Sequence, residues 1–145
     1  MTETTPTGIP TRPMPSMSEA DTGPFWQAAR DHRLTYQSCD ACRQIVFFRR
    51  QHCPHCGSDQ LQEDDSAGEG AVYSYTVIRQ HGHPFFRSIL PYVVGVIDLD
   101  EGFRMLAPIL TSDPEAVQVG QRVVVEWEDH DDWSLPVFRV RREGA

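Results

Sequence analysis

The chain has 145 residues, 39% of them hydrophobic and 23% charged, which is the composition of a folded globular domain and excludes a disordered polymer. Thirteen basic side chains face 21 acidic ones, and a net charge of −8 repels phosphate polymers and anionic membranes at long range. All the bases are arginine, since the chain has neither lysine nor asparagine; this excludes a P-loop lysine, a Schiff-base lysine and an N-glycosylation acceptor.

Residues 1–20 are rich in Pro, Thr and Met with no apolar period, and read as a disordered leader; the other reading is an extended arm that orders on a partner. Residues 21–35 form the N-terminal helix. Asp21 or Thr22 caps it, Pro24 sits in its first turn, and Phe25, Trp26, Ala29 and Leu34 make an apolar stripe that stops near Arg33. From 36 to 63 the chain is dense in Cys, His and Arg, with no room for a hydrophobic core of its own, and Glu63-Asp64-Asp65-Ser66-Ala67-Gly68 reads as a polar break. Residues 66–142 are rich in β-branched and aromatic types, with strands expected at 70–79, 92–99, 103–111, 122–129 and 137–142. Asp100-Glu101-Gly102 turns the second strand into the third, and Asp113–Val117 supplies one helical turn between the third and the fourth. Five strands with so little helix predict a small closed barrel, of which the OB-fold is the commonest form.

All four cysteines fall in two C-x-x-C pairs, Cys39/Cys42 and Cys53/Cys56, with ten residues between the pairs. Each such turn aims two sulfurs at one point, and two turns supply four soft anionic ligands in a tetrahedron, which suits Zn²⁺. Gly57 follows the second pair, where the chain must turn sharply. Four thiolates close the coordination sphere, so the metal is structural and not catalytic. Iron in a rubredoxin-like site is the chemical competitor. His52 and His55 flank the ligands and read as exposed loop residues. A disulfide needs an oxidising compartment, for which no signal peptide is present.

No self-sufficient catalytic set is visible. There is no G-x-S-x-G elbow, and Gly68-Glu69-Gly70 lacks the rest of a dinucleotide fingerprint, so it reads as a flexible lead-in to the first barrel strand. The acidic run around His130, from Glu126 to Asp132, reads as a solvated strand end. His81-Gly82-His83-Pro84-Phe85-Phe86 is the most unusual loop and reads as a ligand- or partner-contacting segment in preference to an acid–base dyad. Arg49, Arg50, Arg79 and Arg87 offer local positive charge for a nucleotide phosphate.

In order along the chain, Pro24-Phe25-Trp26, the two cysteine pairs, Gly68-Glu69-Gly70-Ala71-Val72-Tyr73, Pro91-Tyr92-Val93-Val94, Asp98-Leu99-Asp100-Glu101-Gly102 and Leu135-Pro136-Val137-Phe138-Arg139 resemble the zinc-ribbon plus OB-fold proteins associated with acyl-CoA enzymes. The resemblance covers roughly residues 24–142. Phe47-Phe48-Arg49-Arg50 departs from it, because relatives often carry Pro before Arg there. The resemblance implies a mainly β chain with a rubredoxin-like ribbon and a five-stranded OB-fold barrel, serving as an accessory subunit without activity of its own. The implied partners are thiolase-like enzymes, among them steroid side-chain aldolases and acyltransferases, or hydratase-like enzymes. The chain would bridge subunits of a hetero-oligomer and help to shape the acyl-CoA site, with no nucleic acid and no membrane involved. Phe25, Trp26, Arg79, His81, His83, Phe85 and Phe86 are the candidate contacts to acyl-CoA or partner. A nucleic-acid module stacking bases on Phe85, Phe86 or Tyr75, and an independent acyl-CoA binder or thioesterase, are the other readings. With no run of 18 apolar residues and no leader of the secretory type, the expected location is the cytoplasm.

Overall fold

A computed structural model describes residues 10–141; the first part of the expected leader, 1–9, lies outside the described residues. The helix α1 (Gly23–Arg30) has Pro in its first turn, where the missing N–H has no intrahelical partner to lose. Thr22 occupies the N-cap position without a side-chain capping bond. The helix ends three residues before the expected Arg33, because His32 takes a left-handed conformation at φ +58°. The Asp31 and His32 amides then close the last turn on the Ala28 and Ala29 carbonyls.

Three strands follow around the cysteines: β1 (Thr35–Cys39), β2 (Ile45–Val46) and β3 (Leu61–Asp65), in the antiparallel order β2-β1-β3. β1 alternates strictly, burying Thr35, Gln37 and Cys39. Gln37 clamps the ribbon loop through both amide atoms: its Nε2 donates to the Arg50 carbonyl at 3.0 Å and its Oε1 accepts from the Arg50 amide at 2.9 Å. The acidic stretch read as a polar break begins inside a strand. β3 is an edge, and its carboxylates serve there: Asp65 and Glu63 take Arg33 and Arg49, and Asp64 accepts from the Ser38 hydroxyl. Charge on an edge also discourages pairing with a further chain.

The barrel consists of β4 (Glu69–Ile78), β5 (Tyr92–Leu99), β6 (Arg104–Leu110), β7 (Arg122–Asp129) and β8 (Ser134–Val140), closed in the order β4-β5-β6-β8-β7. Only the β6–β8 pairing is parallel, and this is an OB-like barrel. β5 alternates along its whole length, sending Val93, Gly95, Ile97 and Leu99 inward. With Val72, Met105, Ile109, Val123 and Phe138 they fill the interior. The expected helical turn is a 3₁₀ turn at Pro114–Ala116, capped by Asp113. A five-residue helix that the sequence reading does not contain, α2 (Pro84–Ser88), occupies the histidine loop.

The ribbon and the barrel share their packing. Phe103, immediately before β6, stacks with Tyr36 at 5.0 Å and with Phe47 at 4.7 Å, both from the ribbon. Glu101, in the β5–β6 turn, accepts from the Ser66 hydroxyl at 2.7 Å and the Ala67 amide at 2.8 Å, tying the junction to the barrel. Gly68-Glu69-Gly70 is accordingly a tight seam and not the flexible lead-in expected. Gly68 sits at φ +74°, and a Cβ there would lie 2.1 Å from Val125 Cγ1. A Cβ on Gly70 would lie 2.4 Å from the Asp98 carbonyl oxygen. Gly68→Ala is expected to destabilise the chain by roughly 1–3 kcal/mol, combining left-handed strain with the displacement of Val125. Thermal unfolding of the metal-saturated protein measures it, and an unchanged melting temperature would contradict the seam.

Candidate metal centre and the surfaces around it

Both C-x-x-C turns are built alike. The Arg43 amide donates to the Cys39 carbonyl and the Cys39 amide to the Gln44 carbonyl, at 2.8 and 3.0 Å. In the second turn the Gly57 amide donates to the Cys53 carbonyl and the Cys53 amide to the Ser58 carbonyl, at 2.8 and 2.7 Å. The residue after each pair takes the left-handed conformation, Arg43 at φ +68° and Gly57 at φ +81°. Gly57 therefore has the role read from the sequence. Its counterpart, Arg43, does the same against the preference of an L residue.

This geometry brings the four Sγ atoms within 4.8 Å of one another, the one such His, Cys, Asp and Glu group among the described residues. Cys39 lies 3.7 Å from Cys56 and Cys42 lies 3.6 Å from Cys53, sulfur to sulfur. A disulfide requires about 2.05 Å, whereas four sulfurs at about 2.3 Å from a central tetrahedral ion stand about 3.8 Å apart. The four cysteines fit a tetrathiolate metal ion. His52 and His55 are exposed and stay outside the group. As free thiols the four share acidity unequally. The amides of Cys42 and Ala41 draw the Cys39 thiol down to about 7. At Cys42 the Gln44 amide favours the thiolate, but burial and the neighbouring Cys53 and Cys39 thiols prevail and push it up to about 12. The His55 amide also points at Cys53 Sγ, at 3.4 Å.

Of the aromatic candidates, Phe25 and Trp26 line one cleft and Phe85 a second that shares no residue with it. Phe25 meets Trp26 edge-on at 5.1 Å and Phe47 at 5.9 Å, and Trp26 meets Trp133 at 5.8 Å. Phe25 and Trp26 thus wall an apolar cleft of about 280 Å³ between α1, the ribbon loop and the barrel, completed by Phe47, Phe48, Leu106 and Pro136. Phe48 and Leu106 are 73% and 70% exposed, the most exposed large apolar side chains among the described residues. Neither is a candidate of the sequence reading. The Phe47-Phe48 pair in a segment without a core was the available signal; Leu106 carried none, being one outward residue of an alternating strand.

The second cleft lies at the histidine loop. His81 Nδ1 accepts from the His83 amide at 2.9 Å, and His83 Nδ1 accepts from the Phe85 amide at 3.1 Å, capping α2. Both Nδ1 atoms are committed to their own backbone, and the His81 ring lies 4.5 Å from Phe86. Phe85 and Phe86 are half-buried beneath the guanidinium of Arg12, which belongs to the expected leader. Within the described residues that leader is a docked arm. Arg79 pairs with Glu115 and Arg49 with Glu63, so neither presents a free cation for a phosphate. Tyr75 is exposed on β4.

The acidic run around His130 is likewise engaged. Burial alone raises the Glu128 carboxyl, but the Arg12 and His130 hydrogen bonds and charges outweigh it and hold it below the ordinary glutamate value. The Ser134 hydroxyl, then His32, lower Asp129 in the same way. Both carboxylates are depressed in the folded chain, so their stabilisation is present above the ordinary values and is lost as pH falls through the folded ones. Acidification below pH about 4.5 is expected to loosen the arm and the turn between β7 and β8 before the rest of the barrel. Hydrogen exchange of residues 10–20 against pH measures this, and in Glu128→Gln the acid step at the arm should vanish. An arm whose protection is flat across that range would contradict the assignment.

Residues 26–62 match the family described as "ChsH2, rubredoxin-like zinc ribbon domain", and residues 63–128 the family described as "ChsH2, C-terminal OB-fold domain". A protein of Thermomonospora curvata named "Probable enoyl-CoA hydratase alpha subunit" is 38% identical over 130 residues, 88% of this chain but 40% of that one; the chain thus spans less than half of that relative. A "DUF35 domain-containing scaffold protein" of Methanothermobacter thermautotrophicus is 34% identical over 115 residues, covering 78% of this chain and 77% of that one. Among solved structures, a chain described as "Ltp2-ChsH2(DUF35) aldolase" superposes with a TM-score of 0.78 at 35% identity, over 89% of this chain and 98% of that chain.

Proposed function

Because the chain belongs to the ChsH2 (DUF35) family of zinc-ribbon plus OB-fold proteins, we propose that it is a non-catalytic accessory subunit of an acyl-CoA enzyme, thiolase-like or hydratase-like. The ribbon holds one structural Zn²⁺ on Cys39, Cys42, Cys53 and Cys56, and the chain bridges its partner's subunits and completes the acyl-CoA site. The observation that carries this reading is the uncovered apolar face. Phe48 and Leu106 project beside a cleft of aromatic walls, where water gains nothing and a protein surface gains a great deal. The one arginine lining the cleft, Arg49, is held by Glu63, which suits a protein partner better than a polyanion. The relatives' descriptions as a subunit, a scaffold and a member of an aldolase assembly favour the same reading. A cytoplasmic location is part of the same proposal, and four unpaired cysteines gathered for a metal support it.

Co-expression with a thiolase-like or hydratase-like partner, followed by size-exclusion chromatography and an acyl-CoA cleavage or hydration assay, tests the proposal. One co-eluting complex with partner activity dependent on this chain is expected. Separate elution with unchanged partner activity, or turnover of acyl-CoA by the isolated chain, would overturn it.

A further inference from the structure

Arg12 brings its guanidinium into a notch made by two distant parts of the chain. Nε and Nη2 donate to the two oxygens of Glu128, on β7, at 2.6 and 3.1 Å. Its Cζ stands 4.7 Å from the centre of the Phe85 ring and 5.5 Å from that of Phe86. The Arg12 side chain is only 11% exposed, although the described residues of the arm, 10–20, form no helix and little sheet. Glu128 is fixed by His130 Nε2 at 2.8 Å, and His130 stacks on Trp133 at 4.4 Å. Beside the arm a cleft of about 250 Å³ remains, lined by Ile89, Pro91, Tyr92 and Pro108.

Each part of this arrangement reads one chemical feature. A bidentate carboxylate selects a planar guanidinium over an ammonium. An aromatic face adds cation–π attraction. Pro10 and Pro13 on either side of Arg12 favour an extended chain that loses little entropy on docking. Asp131 and Asp132, in the loop that follows β7, add negative charge for a basic segment, whereas Glu126 is held by Arg139 and Asp129 by His32 and Ser134.

We propose that this notch is an arginine-reading peptide site, occupied in the free chain by the chain's own arm, and that its exchangeable occupant is an extended Arg-Pro segment of another polypeptide. The arm is tethered to α1 through a short connection, which gives it a high effective concentration, so an incoming segment must displace it. The inference stands on the arm's geometry and does not rest on the accessory-subunit reading.

The test uses the full chain, its Arg12→Ala variant and a labelled synthetic peptide of residues 8–18, read by fluorescence anisotropy. The Arg12→Ala chain is expected to bind the peptide at least about tenfold more tightly than the parent chain, whose arm competes. The same peptide carrying Arg12→Lys is expected to bind about tenfold more weakly, since an ammonium cannot engage Glu128 through two parallel bonds. Equal binding to both chains, or none to an Arg12→Ala chain whose melting temperature and metal content match the parent, would overturn the proposal. Hydrogen exchange on the parent chain gives a reading independent of the variant. Excess peptide should accelerate exchange in residues 13–20 and leave 84–90 protected, and unchanged exchange in the arm at saturating peptide would equally overturn it.

Discussion

Replacing Cys53 with serine is expected to abolish stoichiometric zinc binding and to unfold the three-stranded ribbon sheet, the largest effect any single substitution should have here. The reason is how little else holds the ribbon. Its own buried core is Cys39, Val46 and Cys53, with Cys42 and Leu61 packed against it, so most of that core consists of the ligands themselves. Structural zinc supplies on the order of 10 kcal/mol in small metal-dependent domains, far more than one valine and one leucine can offer. The barrel keeps its interior, but not unharmed. Losing Tyr36 and Phe47 uncovers Phe103, and two aromatic contacts of this kind are worth about 1–3 kcal/mol together. Metal analysis should therefore fall from about one equivalent to far below it. Amide protection should collapse in residues 35–65, and the barrel should persist with a lower melting temperature. Retained zinc with intact ribbon protection would show that three thiolates suffice. A parent protein containing iron would replace zinc in the proposal without changing the four ligands.

Phe48→Asp is expected to leave the isolated chain folded and to weaken its complex with an acyl-CoA enzyme partner by about 2–4 kcal/mol, roughly 30- to 1,000-fold in Kd. The fold should tolerate it because Phe48 is 73% exposed and meets Phe47 in a single tilted ring contact at 5.5 Å. The complex should not, because a desolvated carboxylate would replace an aromatic anchor in an apolar contact. Leu106→Asp, on β6 across the same cleft, should have a similar effect. Val119→Asp is the control. Val119 is 65% exposed but lies outside the cleft, so its substitution should leave binding unchanged. If all three variants bind equally well, the partner docks elsewhere and the accessory role survives. If Val119→Asp weakens binding as much as Phe48→Asp, the effect is one of overall charge, and the apolar face is not the docking surface.

Much of this was already present in local patterns. Two C-x-x-C pairs imply four converging thiolates because a short turn aims both sulfurs the same way wherever it occurs. Alternation of apolar residues places five strands within a few residues of their observed ends, since a half-buried strand has a period of two whatever its neighbours. Asp113 before Pro114 marks the 3₁₀ turn by capping chemistry that operates within one turn of chain. The points that departed from local pattern are as informative. The acidic segment at 61–65 is a strand because β1 lends it a ladder, which no propensity of its own predicts. Arg43 adopts a left-handed conformation because the metal turn demands it, although its counterpart in the other turn is glycine.

By itself, then, the sequence determined the four converging cysteines, the order of ribbon before barrel and the five barrel strands, each being the product of interactions within a few residues. Tertiary structure alone decided which side chains meet. It carried Arg12 to Glu128 across 116 positions and made a docked arm of the described part, 10–20, of a leader that reads as loose. It set Phe48 beside Leu106, making one apolar face from a ribbon loop and the outward side of a barrel strand. It separated Phe25 and Trp26 from Phe85 and Phe86, and turned two histidines toward their own backbone. The physical reason is common to all of these. Backbone periodicity and turn chemistry are short-ranged and leave a trace in neighbouring residues, whereas a surface or a notch is assembled by chain closure between segments that share no local pattern.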